Sequence, residues 1–143
     1  MNSDFKLTNI APVFVSGDVR ATVRYYVELL GFKYAEHFDK IDNFASIYRD
    51  EIEIVIVQRK IGTIESNHKR YGNGYDAYID TSTLEGVNAL YQEYKQKNVK
   101  ILSAPHMTDY GSLEFTIEDI DGRIIGIGLI ADKNIYFSQS NYL

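Results

Sequence analysis

The sequence predicts an α+β fold of two βαβββ modules, their curved mixed sheets paired around a concave trough with the helices on the outer face. Three observations carry this. The order strand, helix, strand, strand, strand is read twice along the chain. A polar stretch holding Gly62, Gly72 and Gly74 separates the two readings. Prolines are confined to Pro12 and Pro105, so few positions are barred from regular structure. A chain of 143 residues suits one domain of two fused halves. Module one occupies about 9–60, a linker about 61–73, module two about 74–130 and a tail 131–143. A lone module leaves a sheet edge and one face uncovered, so the two are expected to pair.

The elements follow in order. Ile10–Val15 is apolar and β-prone and predicts the first strand. Ser16-Gly17 turns the chain, and Asp18 suits an N-cap whose carboxylate accepts from the orphan amides of the next turn. Val19, Val23, Tyr26 and Leu30 recur at helical spacing as one apolar stripe, and Gly31 is placed to take the left-handed stop. Strands are predicted at Phe32–Phe38, Phe44–Arg49 and Glu51–Gln58, and Arg59–Gly74 reads as the polar linker. Tyr75–Asp80 reads as the strand that opens the second module. Ser82 to Glu85 has capping-box spacing. Leu84, Val87, Leu90, Tyr91 and Tyr94 give the second helical stripe, and Asn98 stands where Gly31 stood. The last strands are predicted near Val99–Ser103, Leu113–Glu118 and Arg123–Ile130, with Asp119–Gly122 as a tight turn. Val15 is matched with Ile79 in the duplication.

The run from Asp18 through Thr22, Tyr25 and Tyr26 to Leu30-Gly31-Phe32 closely resembles the first-helix signature of the vicinal-oxygen-chelate superfamily, the glyoxalases, bleomycin-resistance proteins and dioxygenases. Glu118-Asp119-Ile120-Asp121-Gly122 is similar to that family's Asp-Pro-Asp-Gly turn, with Ile120 in place of proline. Tyr110-Gly111 resembles the Trp-Gly pair before the penultimate strand of the bleomycin-resistance branch. The matches cover roughly residues 9–130. The resemblance implies the paired-module fold, a trough for a small molecule and, in the metal-dependent members, His, Gln or Glu ligands facing it. Carried onto this sequence, the ligand positions fall at Ala11, Gly74 and Gly126. An alanine methyl and two hydrogens cannot coordinate a metal, so neither a metal nor any other cofactor is expected.

Function must then be argued from the site. Asp76 and Glu114 should face the trough by strand alternation, where they would attract a cationic ligand, act as general bases or stand as solvated carboxylates. Tyr78, on the strand face of Asp76, and Tyr110 would stack on a ligand or merely wall the trough. Gly126 and Gly128 alternate on one face of the last strand, leaving room for a bulky ligand or for close approach of another part of the chain. His37 is expected to end a strand, with His68 and His106 in polar loops; an unconventional metal site joining His37 or His106 to Asp76 and Glu114 is the alternative.

Composition narrows the classes. Cysteine is absent, which excludes disulfides, thiolate zinc sites and a cysteine nucleophile. A net charge of −5 without a basic block argues against nucleic acid. No apolar run approaches the ~20 residues that span a bilayer, and the polar N-terminus does not resemble a signal peptide, so a cytoplasmic location without membrane contact is expected. Twelve tyrosines and no tryptophan suit half-wet pockets and subunit interfaces. The expected function is metal-free binding of a small molecule, such as a drug or metabolite, by a homodimer. The alternatives are a glyoxalase- or dioxygenase-like enzyme with displaced metal ligands, a metal-free lyase or isomerase, and a pure interaction module.

Overall fold

A computed structural model describes residues 4–140. The first module contains β1 (Val13–Ser16), α1 (Val19–Glu28), β2 (Lys33–Tyr34), β3 (Phe44–Arg49) and β4 (Ile52–Gln58). The second contains β5 (Ala77–Asp80), α3 (Leu84–Gln96), β6 (Lys100–Met107), β7 (Ser112–Glu118) and β8 (Ile124–Ile130). Between them stands a short helix, α2 (Asn67–Tyr71), and after them α4 (Lys133–Ser140). The sheets are separate and share one topology, β1-β4-β3-β2 and β5-β8-β7-β6. In each, the first strand runs parallel to the last and the remaining pairs are antiparallel.

Capping residues act where the sequence places them at α1. Asp18 accepts from the Ala21 amide at 3.1 Å, and Gly31 takes φ +79° beyond the helix. Asn98 fills the same role after α3 with φ 60°. The α3 cap is Thr83, not Ser82, because Thr83 Oγ1 is the oxygen that receives the Gly86 amide.

Other boundaries move for physical reasons. The first strand begins at Val13 rather than Ile10, where pairing with Val55 begins; just before it, Pro12, with no N–H of its own, contributes only its carbonyl to the Val55 amide. The Phe32–Phe38 strand shrinks to two paired residues. Phe32 instead donates its amide to Tyr26 O at the helix end, and a 3-10 turn forms at Phe38–Lys40 with His37 as its cap. Strand β6 runs on through Pro105 to Met107, an edge position where a missing N–H costs little. His106 therefore lies in a strand, and His68 in α2, not in loops. By sheet face, Val15 corresponds to Tyr78, one residue away from the match with Ile79, since Val15 and Tyr78 both stand on the exposed face.

The linker's helix is capped by Ser66, whose Oγ receives the Lys69 amide, and closes on left-handed Gly72. Residues 131–140 of the tail also form structure: Gly111 O receives the Ala131 and Asp132 amides, which ties α4 to the loop before β7.

One hydrophobic core serves both modules. Val23, Tyr26, Ile47 and Ile56 of the first meet Val87, Tyr94, Phe115 and Ile127 of the second in a single buried cluster. The modules are also joined by polar groups. Tyr26 donates to Asp119 Oδ2 at 2.6 Å, and Thr22 donates to Asp121 Oδ2 at 2.7 Å. Arg123 binds Asp119 at 3.0 Å and Asp121 at 2.9 Å, and its other guanidinium nitrogen reaches Val15 O. On the far side, Arg49 grips Glu93 through two bonds of 2.7 and 3.0 Å. The sequence signature residues are thus the fastening between modules.

Candidate functional site

With the helices packed on one face of each sheet, the other face stays open. On the first sheet it presents Val13, Val15, Phe44 and Tyr48, with Val13 59% exposed. On the second, strand pairing brings Tyr78, Gly126, Thr116, Gly128 and Glu114 onto one face, with His106 across from Glu114.

Glu114 is the centre of this face. Its side chain belongs to a residue only 1% exposed, yet it lies on the helix-free side. Tyr75 and Tyr110 both donate to its Oε1, at 2.8 and 2.6 Å. Its Oε2 is buried and has no hydrogen-bond partner, an unusual state for a buried polar atom. Tyr78 bonds Ser112 Oγ at 2.8 Å beside the carboxyl, and its ring stacks on Tyr75 at 6.0 Å between centroids. Burial pushes the Glu114 carboxyl up, but hydrogen bonds from Tyr110 and Tyr75 outweigh it and hold the group below its usual range. The tyrosines move the other way. Burial, reinforced at Tyr75 by its bond to Glu114, raises the Tyr75 and Tyr78 hydroxyls to about 12, and the Tyr110 hydroxyl also rises. At neutral pH the site is an ionised carboxylate under neutral phenols.

The structure brings together Tyr78, Tyr110, Glu114, Gly126 and Gly128 from the sequence candidates. A Cβ on Gly126 would meet the Tyr75 ring at 2.8 Å and the Tyr78 ring at 3.0 Å. One on Gly128 would run into Leu113 O, Glu114 Cβ and Tyr78 Oη. The two glycines therefore seat the tyrosine rings against the sheet. Asp76 does not join the cluster. Its Oδ1 accepts from the Asn67 amide at 2.9 Å and its Oδ2 from the Ile124 amide at 2.8 Å, so its carboxylate ties α2 to the start of β8.

Tyr75 is the member that sequence reasoning missed. Alternation would send it to the core, but β5 pairing starts at Ala77 and Gly74 turns the backbone at φ +95°, so period-two facing has not begun. The bare face at Gly126 is the one signal that a ring lies there.

A metal of the kind the fold accommodates elsewhere does not fit these residues. Ala11, Gly74 and Gly126 offer no donor side chain. His106 turns Nδ1 to Ala104 O at 2.9 Å, and among the described residues no three His, Asp or Glu side chains converge. A separate groove of about 550 Å³ lies between α3 and the β3–β4 turn, lined by Arg49, Ile79, Leu90 and Tyr94, and contains none of the site candidates.

Comparison with known proteins agrees with the architecture. The chain is 24% identical to a bleomycin-binding protein of Streptomyces verticillus, solved with copper(II)-bleomycin, at a TM-score of 0.61 over 87% of this chain and 98% of that one. A glyoxalase-related enzyme from Clostridium phytofermentans gives a TM-score of 0.67 at 16% identity, over 90% and 99% of the two chains. A glyoxalase/bleomycin resistance protein/dioxygenase from Nocardioides gives 0.66 at 12% identity, over 92% and 88%. Among curated sequences, the mitochondrial translation initiation factor IF-2 of Mus musculus is 26% identical over 117 residues, which is 82% of this chain. The chain spans only 14% of that protein's length. The family pattern itself matches residues 9–127, so the chain belongs to the glyoxalase/bleomycin resistance protein/dioxygenase superfamily.

Proposed function

We propose that this protein binds a small organic molecule on the open face of its second sheet, without a metal, in a trough completed by a second copy of the chain. The observation that carries the reading is Glu114, a buried carboxylate with an unpartnered oxygen under three tyrosines on a helix-free face. Pockets that take small molecules combine aromatic walls with a few convergent polar groups, and this face has both. The exposed Val13, Val15, Phe44 and Tyr48 of the other sheet support the second copy, since an apolar face of that kind marks an interface. The bleomycin-binding relative supports a binding role. A lyase or isomerase role is less well supported, because a carboxyl held below its usual range is poorly matched to proton abstraction at neutral pH.

The test is a thermal-shift screen of dialysed protein against small organic molecules, with light scattering and elemental analysis on the same sample. A ligand at ~100-fold above its dissociation constant should add about 2.7 kcal/mol, and Tyr78→Ala or Tyr110→Ala should abolish that gain. The expected particle has twice the 16.4 kDa chain mass. Stoichiometric zinc, iron, manganese or nickel removed by Glu114→Ala would overturn the metal-free reading, and a 16.4 kDa particle would overturn the shared trough.

A further inference from the structure

We infer that the Glu114 carboxylate is a receptor for a protonated amine, so that the ligand carries an aliphatic ammonium group joined to an apolar body. This deepens the proposed binding role and rests on it. Among the described residues no lysine, arginine or histidine forms an ion pair with Glu114. The other buried acid among the described residues, Asp119, meets Arg123. Taking an ionised carboxylate out of water without a counter-charge is costly. Here the chain supplies only neutral hydrogen bonds, and the two short ones, from Tyr75 and Tyr110, both go to Oε1.

Geometry then says what the other oxygen is for. Oε2 is acceptor-only when the group is ionised, so its partner must bring a hydrogen, and a positive charge beside it offsets the burial. Three phenols, Tyr75, Tyr78 and Tyr110, stand beside the carboxyl, and the faces of such rings attract cations. Tyr78 is the ring that can admit a ligand. Its hydroxyl bonds Ser112 Oγ at 2.8 Å, and the residue is 39% exposed. Rotating it opens the Glu114 side of the sheet while Tyr75 and Tyr110 keep their grip on Oε1. An ammonium then takes Oε2, and the attached apolar body lies against the half-exposed Tyr78 ring on the same sheet face.

The test uses one matched pair of probes, 4-phenylbutylamine and 4-phenylbutan-1-ol, titrated by calorimetry into the wild-type dimer or monomer as it purifies. A charge-assisted hydrogen bond predicts that the amine binds about 10- to 100-fold tighter than the alcohol. Glu114→Gln, which keeps the shape, should weaken the amine and bring the two affinities together. A second measurement needs no variant: the Glu114 side-chain carboxylate carbon in the wild-type NMR spectrum should shift on adding the amine and stay in place on adding the alcohol. Equal binding of both probes overturns the amine receptor and leaves the small-molecule reading standing. Binding of neither probe, with the carboxylate carbon unmoved at millimolar concentration, counts against both.

Discussion

At the scale of single residues, the acids of this chain divide by what they face. Asp119 and Asp121 look inward, toward Arg123, Tyr26 and Thr22, and clamp the modules. Asp119 and Arg123 side chains are 0% and 5% exposed, so removing either partner strands a buried charge. Arg123→Ala is expected to cost about 3–5 kcal/mol, read as a lowered denaturant midpoint; a loss under 1 kcal/mol would show that the pair is dispensable. The glycines of β8 make a contrasting pair. At Gly128 a methyl meets the backbone oxygen of Leu113, which cannot move aside, whereas at Gly126 it meets only tyrosine rings. Gly128→Ala should therefore destabilise by about 1–3 kcal/mol. Gly126→Ala should destabilise less than Gly128→Ala but push Tyr75 and Tyr78 outward, visible as an altered tyrosine fluorescence and a weakened ligand response. Equal melting temperatures for the two variants would refute this account.

At the scale of elements, short polar contacts turn connecting segments into ordered structure. Asp76 is the clearest case, one carboxylate holding the α2 start and the β8 start together. Asp76→Ala leaves two backbone amides without their acceptor and should cost about 1–3 kcal/mol, with ligand affinity unaffected. A variant of parental stability that fails to bind would instead make Asp76 part of the ligand site. Much of this level was legible in the sequence. The apolar stripes of α1 and α3, the Asp18 cap and the left-handed stops at Gly31 and Asn98 are local, and local rules found them. Helix α2 carries equally local signals in Ser66 and Gly72, but five helical residues lie below the length at which periodicity is visible. Helix α4 has its local signal in Asp132, which receives the Asn134 and Ile135 amides, but its apolar residues form no helical stripe, and Gly111 anchors the segment before it from a distance.

Over the whole molecule, ionisation couples the site to stability at both ends of the pH scale. Tyr75, Tyr78 and Tyr25 are raised from 10.0 to about 12, with burial the leading cause. A raised pKa means that the folded state holds the phenolic proton more tightly. That contribution is complete below pH 10 and disappears as pH climbs through about 12. Glu93, held down by Arg49, and Glu114, held down by its tyrosines against its burial, act with the opposite sign. Their contribution is present above the ordinary carboxylate range and fades as pH falls below it. The melting temperature should therefore show a plateau with losses on both flanks. In Glu114→Gln the acid-side loss should shrink, and an unchanged acid flank would mean that Glu114 is not ionised in the folded protein.

Two levels of information separate cleanly in this chain. The duplicated module order, the capped helices and the β-branched strands are written in short-range pattern, because periodicity and turn chemistry act over a few residues. The grip on Glu114 is not. Tyr75 from before β5 and Tyr110 from the loop before β7 bond it, with Tyr78 of β5 beside it, and Tyr75 does so only because Gly74 turns the backbone before strand alternation begins. Strand alternation placed Glu114 on the open face, and the family resemblance put Ala11, Gly74 and Gly126, none with a donor side chain, at the metal-ligand positions. The packing of sheet against rings decided that Gly126 and Gly128 seat tyrosines, that Asp76 faces backbone amides, and that Glu114 keeps one oxygen without a partner. Those outcomes depend on distances between residues far apart in the chain, which no local pattern encodes.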